Sequence, residues 1–154
     1  MTKAVFLDRD GVLNKELGHY TTHVNELEVL NHAISACKKL KEEGYLLVVI
    51  TNQGGIAKGI YSHKQLKEIH DEICIKIPEI DFVYYCPHHD LITKCLCRKP
   101  LGLMLEKAIY NHKIDVKNSF MIGDSDRDIL AAESVGVKGI KINPNEYWDV
   151  NIFK

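Results

Sequence analysis

The stretch KAVFLDRDG, residues 3–11, is a short apolar run that ends in two acids and a glycine. Four consecutive apolar residues, Ala4 to Leu7, suit a strand buried on both faces, as in a parallel sheet covered by helices. Asp8 and Asp10 then fall just past the carboxyl end of that strand. Open α/β sheets bind their ligands at such ends.

The segments that follow repeat this pattern. Asn31 is placed to cap a helix through HAISACKKLKEE (32–43), with Gly44 as its stop signal. YLLVVI (45–50) reads as a second buried strand, ending in Thr51 and a glycine-bearing turn. Ser62 with Gln65 three residues on forms a capping-box signature for a helix over 64–77, closed by Pro78. FVYYC (82–86) reads as a strand and 101–111 as a helix. SFMIG (119–123), a helix over 127–135 and VKGIKI (137–142) complete the series before a polar tail. The alternation predicts an α/β fold, a Rossmann-like doubly wound parallel sheet, with residues 1–154 forming one domain.

Composition excludes several classes. The formal net charge is −1, with 27% charged and 45% hydrophobic residues. There is no global field to hold a nucleic acid backbone or an anionic membrane. The opening MTKAVFLDRD meets charges too soon for a signal peptide, and LLVVI (46–50) is too short to span a bilayer. A cytoplasmic protein is expected, where thiols stay reduced, so five cysteines favour metal or catalysis over disulfides.

The strand ends carry the candidate chemistry. Asp8 and Asp10 can divide labour, one as nucleophile or metal ligand and the other as acid/base; an acidic surface turn would look the same. GDSDRD (123–128) adds Asp124, Asp126 and Asp128, hard oxygen donors suited to Mg²⁺. Helix capping alone would account for Asp126. TNQGG (51–55) offers a hydroxyl, two amides and free N–H groups to a phosphoryl group. Pro100 disfavours helix at Lys99 and leaves the Arg98–Lys99 pair extended.

CPHHDLITKCLCRKP (86–100) contains three of the five cysteines and two of the eight histidines. Its C-x-H…C-x-C spacing offers three thiolates and an imidazole, a tetrahedral Zn²⁺ set with no open position, hence structural. A redox pair or inert thiols are the competing readings, but the CxxC of redox centres is absent. Cys37 and Cys74 read as buried apolar residues.

The order DxDG, strand-Thr, Lys, GDxxxD resembles the haloacid dehalogenase (HAD) superfamily of phosphohydrolases, from Val5 to about Ile142. FLDRDGVLN, VVITNQGGIAKG, CPHH…CLCRKP and MIGDSDRDILAAE resemble the subfamily holding heptose bisphosphate and histidinol-phosphate phosphatases. The resemblance implies Asp8 as nucleophile, Asp10 as general acid and then base, and Thr51 and Lys99 as holders of the phosphoryl group. It implies Mg²⁺ between Asp8, the Asp10 carbonyl and Asp124, with Asp128 orienting Lys99 or a metal-bound water. It implies a structural Zn²⁺ on Cys86, His88, Cys95 and Cys97, the CxH pattern selecting His88 over His89.

The intervals 11–51 and 51–99 leave no room for a cap domain, so a capless member with a zinc-bound loop is expected. GGIAKGIYS and LGHY (17–20) resemble the heptose-bisphosphate branch. Gly18, His19, Tyr20, Asn52, Gln53, Gly54 and Arg98 are then the expected substrate contacts. Six residues between His88 and Cys95 is a loop length also seen in the histidinol-phosphate branch. The expected partner is a small phosphorylated sugar, with no nucleic acid and no membrane, and a monomer is expected. A non-catalytic zinc-knuckle binding module is the alternative of another class.

Overall fold

The computed structural model describes residues 1–154. Five parallel strands form one sheet in the order β3-β2-β1-β4-β5, with β1 at Ala4–Leu7, β2 at Leu46–Asn52, β3 at Phe82–Cys86, β4 at Phe120–Gly123 and β5 at Lys138–Lys141. The helices are α1 (Asn31–Glu42), α2 (His63–Lys76), α3 (Leu103–His112) and α4 (Asp126–Ser134). No helix is long and apolar enough to cross a membrane.

All four residues of β1 are fully buried because both faces are covered. Val5 and Leu7 pack with Ala33, Cys37 and Leu40 of α1 and Ile69 and Ile73 of α2. Ala4 and Phe6 point the other way, to Met104 and Leu105 of α3 and Ala131 and Ala132 of α4. Each of the larger of these side chains (Val, Leu, Ile, Phe, Met) contributes about 1.5–3 kcal/mol through burial. The sheet is therefore doubly wound, and no cap domain is present.

From β1 the chain builds outward to β2 and β3, then returns to lay β4 and β5 on the other side of β1. The direction of winding reverses between β1 and β4, which opens a crevice at their carboxyl ends. Asp8 follows β1 there, and Asp124 follows β4.

Three local expectations are corrected. Leu30, not Asn31, is the N-cap of α1, and Asn31 begins the helix. Ser125, not Asp126, caps α4 in a capping box with Asp128; exposed Asp126 pairs with Lys141 at 2.8 Å. The tail is not simply polar. Trp148 is buried and donates from Nε1 to the Val12 carbonyl at 3.0 Å. The Ser62–Gln65 capping box and the Gly44 stop, at φ +86°, are as expected.

Candidate active site

The crevice is a cleft of about 590 Å³ whose wall includes Asp8, Asp10, Asn52, Gly54, Arg98, Lys99, Asp124 and Asp128. Gly18, His19 and Tyr20 also line it, so residues from five separate stretches of chain meet there.

Lys99 is the hub. Its ammonium, 3% exposed, donates to Asp8 Oδ1 at 2.9 Å, to Asp128 Oδ1 at 2.5 Å and to the Ile50 carbonyl at 2.7 Å. All three of its protons are thereby used. Asn52 fixes the Lys99 backbone: its Oδ1 accepts from Lys99 N at 3.0 Å and its Nδ2 donates to the Lys99 carbonyl at 3.1 Å. The other oxygen of Asp128 accepts from Ser125 N at 3.1 Å and Oγ at 3.0 Å. Asp128 is thus wholly engaged in holding the ammonium and starting α4.

The carboxylates of Asp8, Asp124 and Asp128 place oxygens within 4.8 Å of one another. Burial, with repulsion from Asp128 and Asp124, pushes Asp8 well above the usual carboxylate range despite Lys99. Burial and Asp128 push Asp124 up as well. Three crowded acids against one ammonium leave an excess of negative charge. A divalent cation on Asp8 and Asp124, hard oxygen donors, is the group that would balance it. Gly11, at φ +85°, makes this approach possible, because a Cβ there would overlap the Asp124 carboxylate.

Asp10 is held differently. Burial would raise it, but Arg9, Asn14 and Gln53 outweigh burial and hold it below its ordinary value. Gln53 and Thr51 are each only 1% exposed and stand behind the cleft rather than on its wall. Gln53 Nε2 donates to Asp10 Oδ2 at 3.1 Å and to Thr51 Oγ1 at 2.9 Å, and its Oε1 accepts from Tyr61 at 2.5 Å. With both ends of its amide engaged, Gln53 supports the site from beneath.

Part of the cleft wall is cationic. Arg98 Nη1 donates to the His88 carbonyl at 3.1 Å, and Arg127, at the start of α4, joins it on the wall. Burial, then the charges of Lys58, Arg98 and Arg127, hold the His89 imidazole below its usual range. A Cβ at position 54 would crowd His89 and Arg98 Nη1, so Gly54 makes room for the guanidinium.

The loop behind Arg98 gathers Cys86, His88, Cys95 and Cys97, with their ligating atoms within 4.8 Å. Cys86 Sγ lies 3.1 Å from Cys97 Sγ and 3.7 Å from Cys95 Sγ, and His88 Nδ1 lies 3.3 Å from Cys97 Sγ. Burial, then hydrogen bonding to Cys97, pushes the Cys86 thiol up. Soft donors this close are stabilised as thiolates by a bound cation, and a Cys₃His set fits zinc. Cys95 Sγ also accepts from Arg98 N at 3.4 Å, so the cluster is coupled to the cationic wall.

Several contributors were not legible in the sequence. Arg9, Asn14 and Tyr61 surround Asp10, and Arg127 and Glu16 line the cleft. Asn145 holds the loop that lines the cleft at Glu16–Tyr20: Glu16 N donates to its Oδ1 at 2.6 Å and its Nδ2 donates to the Glu16 carbonyl at 3.2 Å. An arginine between two acids was the one available signal, and it reads as a surface charge until the fold buries it.

His70 sits half-buried behind Arg9, its Nε2 3.3 Å from Arg9 Nη1. Burial, then the guanidinium, pushes its pKa down to about 3. Above the unfolded value of about 6.5 His70 is neutral in both states and adds no pH dependence. As pH falls below that, the unfolded chain takes a proton that the folded chain refuses, and stability is lost down to about pH 3. After solvent screening this amounts to about 2 kcal/mol. His70→Gln should flatten the urea midpoint between pH 6.5 and 4 (about the window these pKa values define). An unchanged slope would count against this assignment.

The fold and site together define an α/β phosphohydrolase, with clustered carboxylates and a buried lysine at the head of a parallel sheet. A family model described as HAD-hydrolase-like matches residues 96–147. A D-glycero-β-D-manno-heptose-1,7-bisphosphate 7-phosphatase of Haemophilus ducreyi is 41% identical over 146 residues, 88% of this chain and 80% of that one. A D-glycero-α-D-manno-heptose-1,7-bisphosphate 7-phosphatase of Photorhabdus laumondii is 39% identical, over 88% and 79%. The crystal structure of D,D-heptose 1,7-bisphosphate phosphatase from B. bronchiseptica, complexed with magnesium and phosphate, superimposes with a TM-score of 0.86. It is 29% identical, covering 93% of this chain and 83% of that one. The chain belongs to the HAD-like phosphatases, in the branch of the heptose-bisphosphate 7-phosphatases.

Proposed function

We propose that the chain, acting as one domain and a monomer, removes the 7-phosphate from a D-glycero-D-manno-heptose 1,7-bisphosphate in the cytoplasm. The carrying observation is the cleft's lining: Asp8, Asp124 and Lys99 share its wall with two further cations, Arg98 and Arg127. A bisphosphate fits such a wall, the reacting phosphoryl group at Lys99 and the other at the arginines, whose planar forks suit phosphate oxygens. The relatives' names support this reading of the substrate.

In the proposed reaction an Asp8 carboxylate oxygen attacks phosphorus while the sugar oxygen departs. Asp10 protonates that oxygen as the aspartyl-phosphate forms, then takes a proton from the water that hydrolyses it. Lys99 would exchange its bond to Asp8 for one to a phosphoryl oxygen and offset the charge of the approaching dianion, with Thr51, bonded to Gln53, standing behind it. Asp8, the Asp10 backbone carbonyl and Asp124 would hold Mg²⁺, which supplies neutralisation of phosphoryl charge. Asp128 keeps Lys99 aligned through their 2.5 Å ion pair. Gly18, His19, Tyr20 and Gly54 shape the sugar pocket, while Asn52 and Gln53 brace it. Cys86, His88, Cys95 and Cys97 would hold Zn²⁺ as a structural clamp on Arg98.

The test is phosphate release with Mg²⁺ from both anomers of the heptose bisphosphate, from histidinol phosphate and from a 3′-phosphorylated oligonucleotide. At least one heptose anomer should exceed the others in kcat/KM by about 100-fold or more, the order expected for a second, charge-assisted phosphate contact. Equal rates on all four would overturn the substrate.

A further inference from the structure

We propose that Arg9 is a positioning residue that selects which oxygen of Asp10 exchanges the proton. This rests on the reading of Asp10 as general acid and base. Arg9 is 1% exposed, and the one carboxylate oxygen it bonds is Asp10 Oδ1. Its Nε and Nη2 donate to Asp10 Oδ1 at 3.2 and 2.8 Å, and Asn14 Nδ2 donates to the same oxygen at 3.0 Å. Three donors saturate an oxygen that has two lone pairs. Oδ2 receives only Gln53 Nε2, at 3.1 Å, and keeps one lone pair open on a residue that lines the cleft.

Turning the Asp10 carboxylate would exchange the two oxygens, and the guanidinium fork prevents it. Arg9 is itself fixed at both ends. His70 Nε2 lies 3.3 Å from Nη1, and the Arg9 carbonyl accepts from Val12, Leu13 and Asn14. Arg9 borders a small gap also lined by Val49, His70, Ile73, Cys74 and Val83, a mostly apolar surrounding for a cation. A buried cation there is costly unless it is fully employed, and its employment here is Asp10.

The proton then has one route. Asp10 takes a proton from solvent onto Oδ2 as the phosphate dianion enters the cleft, because nearby negative charge favours the neutral acid. The Oδ2–H bond then breaks as the bond from phosphorus to the sugar oxygen breaks, and the departing oxygen takes that proton. In the second step water gives a proton back to Oδ2 while its oxygen bonds to phosphorus and the bond from phosphorus to Asp8 breaks.

The leaving group discriminates positioning from mere structure, because nitrophenolate departs without protonation and a sugar alkoxide does not. Arg9→Met should lower kcat on the heptose bisphosphate by about 10² to 10³-fold, within the range of general acid–base catalysis. KM should stay within about threefold, and the first-turnover burst of nitrophenolate from p-nitrophenyl phosphate should be retained. Arg9→Lys should recover part of the loss, and Asn14→Ala should give a milder form of the same split. Equal loss of burst and sugar turnover, or a change in KM alone, would overturn the proposal. If Arg9→Met does not fold, the Asn14 variant decides by the same criterion. Asp10→Asn separates the two readings. Wild-type turnover there removes the role of Asp10 itself, whereas an inactive Asp10→Asn beside a fully active Arg9→Met removes only the role of Arg9.

Discussion

Asp8→Asn is expected to abolish turnover, lowering kcat by about 10⁴-fold or more, because an amide cannot form the aspartyl-phosphate. The fold should survive. Asparagine has nearly the shape of aspartate, and Lys99 keeps its ion pair with Asp128 at 2.5 Å and its bond to the Ile50 carbonyl at 2.7 Å. Loss of one buried acid also relieves a crowded group, since burial and the neighbouring carboxylates already push Asp8 up. The unliganded variant should therefore unfold at a temperature equal to or above that of the parent. The measurement pairs phosphate release with thermal unfolding monitored by circular dichroism. Residual turnover near the parent's would reject Asp8 as the nucleophile. Inactivity together with a large fall in stability would instead mean that the carboxylate is a structural partner of Lys99.

Removal of zinc should have the second-largest effect. Residues 87–102 contain no helix or strand, and the zinc clamp we propose would tie them together through Cys86, His88, Cys95 and Cys97. Structural zinc contributes on the order of 10 kcal/mol in small sites, and at this chain length each kcal/mol moves the unfolding temperature by about 2–4 °C. Chelation, or Cys95→Ser, should lower that temperature by about 10 °C or more. Kinetically, the loss should fall first on Arg98, whose N–H leans on Cys95 Sγ at 3.4 Å. Lys99 has independent anchors in Asn52, Asp128 and the Ile50 carbonyl. KM should therefore rise about tenfold or more while kcat falls less, as for loss of binding that is equal in ground and transition states. Elemental analysis should find one zinc per chain in the parent and none in the variant. Unchanged stability and KM in zinc-free protein would reject the clamp.

Both predictions draw on what was readable along the chain. The buried strands were legible because a parallel sheet covered on both faces needs unbroken apolar runs, and Ala4–Leu7 and Leu46–Ile50 are such runs. The carboxylates were legible because each follows such a run directly. The thiol cluster was legible from spacing, since a tetrahedral site draws on short local pairs. Asn31 misled because a capping propensity is a local preference. The chain entering α1 instead donates from Leu30 N to the Leu13 carbonyl at 2.9 Å, a tertiary bond, and that moves the helix start by one residue.

The contacts that could not be read are those between distant residues. Asn145 and Glu16 are 129 positions apart, Asn52 and Lys99 are 47 apart, and Arg9 and His70 are 61 apart. No periodicity records such pairs. Gln53 looked like a phosphate contact because it follows a strand, but its backbone N–H bonds to the Cys86 carbonyl at 2.7 Å and its side chain, taken by Asp10, Thr51 and the Tyr61 hydroxyl, faces inward.

Residue order alone thus determined the strand–helix alternation, the acids at the strand ends and the metal-type spacing, because each depends on neighbours within a few positions. Tertiary structure decided which acids share one ammonium, which oxygen of Asp10 stays open and where the cationic wall lies. Those outcomes depend on the winding reversal between β1 and β4, which brings Asp8, Lys99 and Asp128 within hydrogen-bonding distance across 120 residues of chain.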